Sequence, residues 1–567
     1  MQHVYYLLLR RLRTPIITII VVYAISVLGF TLIPGQDDQG NPWRMDFFHA
    51  FYFVSFMGST IGFGEIPFPF TAGQRAWTIA TIYACVISWL YGIGTIFTLF
   101  QDGNYQRLIK RTSFARRVAR IYEPFYLVCG YGITGNRLIH QLDSLGIRTV
   151  VIDINQRLID ELEADKIALS VPALCADASD PNVLNLAGIQ NPLCIGVLAL
   201  TNDDHANLQI AIDSKLFSPQ RVVISRTQSK ETTANLSSFG TDHIIDPFTI
   251  FADHLLLTLQ TPYTHLIHDL IVNPHHRALA VPDQNTLGRW VICGYGRFGQ
   301  ALEEEFKKHE IEMTFIDVNL DQRNAPEGTI LGLGTEADTL REAGIDTAIG
   351  IIAGTPDDAN NLSIIITARD IKPDLITVVR QNSGANKPIF RAAEVNMIME
   401  SGHIIANEIF MLIRTPLLVD FFELVREYDE DWARALFLRI TNTLNGQLMS
   451  AWTFHANQNG SPAVYASLAQ NETVKLSYLC RDPRDRDESL ATIPLLIKRG
   501  VERMMLPDPG TPLQLDDQIL FCGQKQAKAF MEWSVSNHNT LRYIKTGKEG
   551  PDGLLWRWLS KRKQQRV

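Results

Sequence analysis

A chain of 567 residues is too long for a single hydrophobic core and calls for three or more folding units. Its formal charge of −8, from 52 basic against 60 acidic residues, argues against nucleic acid as a partner. The seven cysteines form no CxxC pair, which argues against a zinc or disulfide framework and fits reduced thiols in a cytosolic bulk.

Hydrophobicity is concentrated at the N-terminal end. Ile16 to Ile33 carries no charge over 18 residues, and Ala76 to Phe100 none over 25. Each is long enough to cross roughly 30 Å of hydrocarbon as a helix. Arg10, Arg11 and Arg13 precede the first span, and Arg107, Lys110, Arg111, Arg116, Arg117 and Arg120 follow the second. The connector holds Asp37, Asp38 and Asp46 against Arg44 alone. The bias of basic residues toward the inner side predicts a multi-pass protein in a lipid bilayer with both termini cytoplasmic.

Between the spans, Asp46 to Ser59 is aromatic and apolar, too short to span but suited to a half-helix capped by Asp46. Gly62, Gly64, Pro67 and Pro69 then forbid its continuation. Irregular backbone at membrane depth is tolerated where it is buried in protein or lines a water-filled path, and there its free carbonyls can replace an ion's hydration shell. The segment Thr60-Ile61-Gly62-Phe63-Gly64-Glu65 resembles the potassium-channel selectivity filter, T-V-G-Y-G-D. That resemblance implies K+ coordination by the carbonyls of Thr60, Ile61, Gly62 and Phe63 and the Thr60 hydroxyl. Phe63 lacks the phenol that commonly braces the filter, and Glu65 lengthens the carboxylate at its outer mouth. Gly92 and Gly94 in the second span read as a gating hinge or as positions of close helix packing.

After a basic stretch of helical character comes FYLVCGYGITGNRLIHQLDSLGIRTVVIDIN, which reads strand, glycine turn, helix, strand. Gly130, Gly132 and Gly135 allow backbone to approach a pyrophosphate at a helix N-terminus, and Asp153 ends the second strand where ribose hydroxyls sit. The unit recurs 164 positions later with Gly294, Gly296, Gly299 and Asp317. Further matches follow at a spacing of 154: Asp203 with Asp357, Asn207 with Asn361, Arg226 with Arg380, Pro262 with Pro416. Two parallel copies over more than a hundred residues are a strong signal where one fingerprint would be weak.

The doubled part resembles the RCK (regulator of potassium conductance) or TrkA-N domains, and PGTPLQLDDQILFCGQ resembles their small C-terminal subdomain. The whole is similar to bacterial ligand-gated potassium channels with two RCK domains per chain, which implies the inner (plasma) membrane. The expected architecture is an α-helical pore domain with two transmembrane helices and a re-entrant pore helix over 1–102, and a linker over 103–124. Two Rossmann-like α/β RCK domains then occupy 125–280 and 289–430, followed by a β-rich C-terminal subdomain over 431–530, its β signal beginning near Ala435, and a basic tail over 531–567.

The resemblance implies a homotetramer, because a filter needs four loops and this chain supplies one, with eight RCK domains in a gating ring. It implies NAD(H) or an adenine nucleotide such as ADP or AMP as regulatory ligand, bound by the two glycine turns, with Ile133 and Thr134 in the first and Arg297 and Phe298 in the second. Asp177 and Ala178 stand where the family reaches the adenine, whereas the second copy has Leu333 and Gly334 there; conversely Arg297 stands where the family contacts phosphate and the first copy has Ile133. Asp153 and Asp317 disfavour a 2′-phosphate. Calcium is a further ligand of the family, but Asp203, Asp204, Asp357 and Asp358 read first as solvated loop acids. No enzyme is expected: the rival readings are a membrane-anchored nicotinamide-dependent oxidoreductase, for which no substrate domain remains, and a regulator of a potassium transporter, for which TIGFG has no use.

Overall fold

The structure is a computed structural model, and it describes residues 2–64, 66–272, 288–320 and 325–548. The Glu65 expectation, the junction between the two RCK domains and the tail segment LLWRWLSKRKQQRV lie outside these residues. The chain divides into two compact units, one formed by residues 1–122 with the short pieces 172–174 and 184–188, the other by the remainder.

In the first unit an outer helix (Gln2–Leu32) and an inner helix (Ala72–Gln101) flank a short pore helix (Phe47–Gly58). Two of these helices are long and apolar enough to cross a membrane. Asp46 caps the pore helix by accepting from the His49 backbone N–H at 3.1 Å. Phe30, Phe53, Phe56 and Cys85 meet in a common core, with the Phe30 and Phe53 rings edge to face at 5.0 Å. Outward, Ile20, Leu28, Ile79, Tyr83, Ile87 and Leu90 remain exposed, which is the composition of a lipid-facing surface. A linker helix, Gly103–Ala119, carries the basic run.

The second unit contains two parallel six-stranded sheets. Numbered within each copy, both have the strand order 3-2-1-4-5-6, so both are Rossmann-like, doubly wound α/β folds. The first strands, Phe125–Cys129 and Trp290–Cys293, are buried from both faces, and this is why they read as uninterrupted apolar runs. Each sheet is followed by a helical hairpin broken at Thr-Pro: Pro247–Gln260 with Pro262–Val272, and Ser401–Arg414 with Leu417–Val425. The hairpins exchange partners. The first crossover helix, Pro247–Gln260, packs on the second copy's turn helix, Arg297–Lys308, while the second crossover helix, Ser401–Arg414, packs on the first copy's turn helix, Ile133–Ser144. The two copies are thereby joined face to face by a pseudo-twofold exchange.

The C-terminal part holds a four-stranded antiparallel sheet in the order Met449–His455, Gln518–Gln524, Thr492–Arg499, Glu502–Met505. Two boundaries differ from the composition-based expectation. The stretch from Ala435 to Leu444 is helical, part of Glu430–Leu444, because its apolar residues recur at helical spacing: Ala433, Leu436, Ile440 and Leu444 are all buried. Residues 531–536 and 538–546, assigned to a basic tail, lie in helices Lys525–Ser536 and His538–Thr546 and bury Met531, Val535, Leu541 and Ile544.

Candidate functional site

Three arrangements carry the chemistry. The first is the segment after the pore helix. Phe56 O accepts from the backbone N–H groups of both Ile61, at 3.0 Å, and Gly62, at 3.2 Å, so the end of the helix folds the chain back on itself. Thr60, Gly62 and Gly64 have φ of +62°, +66° and +76°. Left-handed backbone at every second residue turns successive carbonyls toward one side, which glycine permits without penalty. At Thr60, a β-branched residue, it stores strain on the order of 1–3 kcal/mol, tolerated where the surroundings over-determine the conformation. Phe63 cannot donate a hydrogen bond; its ring instead meets that of Phe56 edge to face at 6.3 Å. Ile61 and Phe63 are exposed within one chain.

The inner helix runs unbroken through Gly92 and Gly94. Gly92 is buried where Ile19 of the outer helix approaches: an added Cβ would lie 3.4 Å from Ile19 Cδ1, whereas one at Gly94 would meet nothing.

The second arrangement is the cleft of the first Rossmann unit, a cavity of about 740 Å³ at the reversal of strand order. Gly130, Gly132, Asp153, Asp177 and Ala178 all line it. Gly130 has φ +108°, and a Cβ on Gly135 would lie 2.2 Å from Gly130 O, so the turn closes only with glycine at both places. Asp153, nearly buried, accepts from the backbone N–H of Tyr131 at 2.6 Å and of Asn155 at 2.7 Å; it therefore fixes the glycine turn as well as facing the cleft. Asp177 is exposed and accepts from the N–H and Oγ of Ser179. Thr134 is buried beneath the turn, and Ile133 points away from the cleft to the second crossover helix, where a Cβ on Gly402 would lie 2.8 Å from it.

In the second copy, Asp317 repeats the role of Asp153, accepting from Tyr295 N at 2.7 Å and Asn319 N at 2.8 Å. Gly294, Gly296 and Gly299 repeat the turn, with a Cβ on Gly299 only 2.3 Å from Gly294 O. Phe298 is buried against Phe248 and Phe251 of the first crossover helix. Arg297 does not fold over its own glycine turn. Its guanidinium donates to Gln228 O at 2.7 Å and Gln228 Oε1 at 2.8 Å, both in the first copy. Position 334 is closed to any side chain, since a Cβ there would lie 2.6 Å from Cys293 Sγ.

The third arrangement lies between the copies and was not assigned a role from sequence: Arg226 and Arg380, at the ends of equivalent fifth strands, line one cavity. Their spacing of 154 was the available signal. The loop acids have structural duties. Asp203 and Asp357 cap the helices Asp204–Phe217 and Asp358–Ile371; Asp204 accepts from Gln228 N, and Asp358 accepts from Asn382 N and Ser383 N. Among the described residues no group of three or more His, Cys, Asp or Glu is arranged to hold a metal ion.

Comparison with known proteins follows the same division. The ion channel domain family matches residues 17–102, and the TrkA-N domain family matches residues 126–247 and 290–401. "Potassium channel protein 1" of Methanocaldococcus jannaschii is 24% identical over 294 residues, covering 51% of this chain and 84% of that protein. "Voltage-gated potassium channel Kch" of Escherichia coli is 26% identical over 218 residues, covering 38% of this chain and 50% of its own length. A solved structure described as "GsuK channel bound to NAD" aligns with 94% of this chain and 99% of its own, at 15% identity and a TM-score of 0.46.

Proposed function

With one ion channel domain and two TrkA-N domains joined in a single chain as the premise, we propose that this protein is a ligand-gated, potassium-selective channel of the inner membrane. It works as a homotetramer with both termini in the cytoplasm. Thr60, Ile61, Gly62 and Phe63 line the ion path, and an adenine nucleotide or NAD(H), bound by the Rossmann units, controls opening. The observation that carries this reading is the alternating left-handed backbone at Thr60, Gly62 and Gly64 directly after a half-length helix set between two membrane-length helices. Such a segment gains from its carbonyls only if a dehydrated cation takes them.

Control by nucleotide follows from linkage. A ligand shifts the balance between two arrangements of the paired Rossmann units by no more than its differential affinity for them. The cleft lined by Gly130, Gly132, Asp153 and Asp177 supports a ligand with phosphates at the glycine turn, a ribose at Asp153 and a base toward Asp177. No bond is made or broken in this account.

The test is potassium flux into liposomes with and without NAD, NADH, AMP and ADP. Potassium-selective flux that responds to at least one of them is the expected result. Gly62→Ala, which forces a side chain onto backbone at φ +66°, is expected to abolish flux while the protein still assembles. Hydride transfer from NADH with no flux under any ligand would overturn the reading in favour of an oxidoreductase.

A further inference from the structure

The interface between the two Rossmann units holds more positive charge than its partners neutralise. Arg226, at the end of the first copy's fifth strand, donates from Nη1 to Asn202 Oδ1 at 2.6 Å, while its Nε is buried and has no hydrogen-bond partner. Arg380, at the equivalent place in the second copy, lies over the Phe248 ring at 4.9 Å, and Arg297 lies over the same ring at 5.6 Å. Among the described residues none of these three guanidinium groups has a carboxylate within ion-pair distance. The nearby acids, Asp204, Asp246 and Asp358, point their oxygens at backbone N–H groups of Gln228, Phe248, and Asn382 and Ser383, and act on the guanidinium groups only from beyond ion-pair distance. Glu400 is held by Lys387 and His403. Burial pushes the Arg226 and Arg380 pKa values down and repulsion from Arg297 adds to both shifts, opposed in part by the charges of Asp204 and Asp246 on Arg226 and of Asp358 on Arg380. A guanidinium does not lose its proton under such pressure; it is left as a half-buried cation without an ion-pair partner.

Arg226 and Arg380 face a cavity of about 270 Å³ that also takes in Asn202, Asn382 and the start of the turn helix at Gly132 to Thr134. That helix begins without a side-chain cap, so its first N–H groups are open to an acceptor. Forked donors from two sides and a free helix start are the components of an oxyanion site, and the carboxylate in the lining, Glu400, is already paired with Lys387 and His403.

We propose that this cavity binds a phosphate-like oxyanion clamped between Arg226 of one Rossmann unit and Arg380 of the other, so that the bound anion ties the two units together. Gly132, Leu200 and Asn202 line both this cavity and the nucleotide cleft. The oxyanion is therefore either the distal phosphate of a nucleotide lodged in that cleft or a free phosphate; the first alternative rests on the nucleotide-gated reading, the second does not.

The test uses the full-length protein in lipid nanodiscs with inorganic phosphate, AMP and ADP as probes. Millimolar inorganic phosphate is expected to raise the thermal unfolding midpoint of the wild type. Arg226→Gln and Arg380→Gln are each expected to remove that rise, with Arg380→Lys, which keeps the charge but not the fork, retaining part of it. If the distal phosphate of a nucleotide is the natural occupant, ADP binds about tenfold to a hundredfold more tightly than AMP and Arg380→Gln erases the preference. If free phosphate is, Arg380→Gln leaves the two nucleotide affinities unchanged while the phosphate effect is lost. The proposal is overturned if the phosphate-induced rise survives in the Arg226→Gln/Arg380→Gln double variant, or if the wild type shows neither that rise nor an ADP preference. Failure of AMP to bind the wild type would count against the nucleotide-gated reading alone, because the phosphate arm is read separately.

Discussion

At the scale of single residues, the crossover region contains a carboxyl group that is out of place. Glu408 stands on the second crossover helix, and burial holds its pKa up to about 7, with Arg426 drawing it down and Asp253 pushing it up. Glu408 lines a cavity of about 380 Å³ together with His254, His265 and His268, and burial lowers the pKa of all three imidazoles, that of His254 to about 4. A carboxyl whose folded-state pKa exceeds its unfolded value near 4.3 contributes its stability below that value, and the contribution is lost as the pH rises through 7. The imidazoles act in the opposite sense, costing stability as the pH falls below 6.5, and they do so equally in a Glu408 variant. Glu408→Gln is therefore expected to match the wild type near pH 4 and to gain about 1–3 kcal/mol at pH 8. Chemical denaturation of both proteins across that range measures it, and a difference independent of pH would show that the charge is not its cause. At this scale the sequence was partly legible. Asp153 and Asp317 stand out from the fingerprint, but their bonds to Tyr131 N and Tyr295 N depend on how the turn closes. Arg297, read as serving its own glycine turn, reaches instead to Gln228 because the first copy lies against it.

At the scale of elements, the exchange of crossover helices rests on a close approach. Position 402 is the repeat equivalent of position 248, yet one is glycine and the other a buried phenylalanine. Phe248 supports Arg297 and Arg380 in one half of the interface; in the other, Gly402 lets Ser401–Arg414 settle onto Ile133. A Cβ at 402 would lie 2.8 Å from Ile133 Cγ2 and 3.4 Å from Thr134 N. Gly402→Ala is expected to force this helix off the first copy's turn helix and to cost about 1–3 kcal/mol. Hydrogen exchange should then quicken in Ile133–Ser144 and Ser401–Arg414 and stay unchanged in the C-terminal sheet; uniform quickening would contradict the local origin. Helix and strand periodicities were readable because each element has one apolar face. Which hairpin packs on which copy was not, since both hairpins are apolar enough to cover either turn helix. The helices through 531–546 were hidden by averaging: Lys525, Lys528, Arg542 and Lys545 raise the local charge while Met531, Val535, Leu541 and Ile544 quietly keep the helical period.

At the scale of the molecule, the two copies share a fold and differ in their clefts. The first presents Asp177 and Ala178 to its cavity; the second has Leu333 and a position 334 that admits no side chain. Two unequal nucleotide sites per chain are therefore expected, and calorimetric titration of the wild type with AMP or NAD should show two phases. Asp177→Ala is expected to weaken one phase by about tenfold to a hundredfold and leave the other where it was. A change in both phases would mean that the copies do not act as separate sites.

The exchange of helices within one chain has a further consequence. Partners encoded as separate polypeptides find each other by second-order collision and come apart on dilution. Here the meeting of the two Rossmann units is a first-order event, governed by tether length rather than by expression level. Dilution that dissolves every contact between chains leaves this pair intact. Once the two halves no longer have to be identical, each is free to drift toward its own ligand.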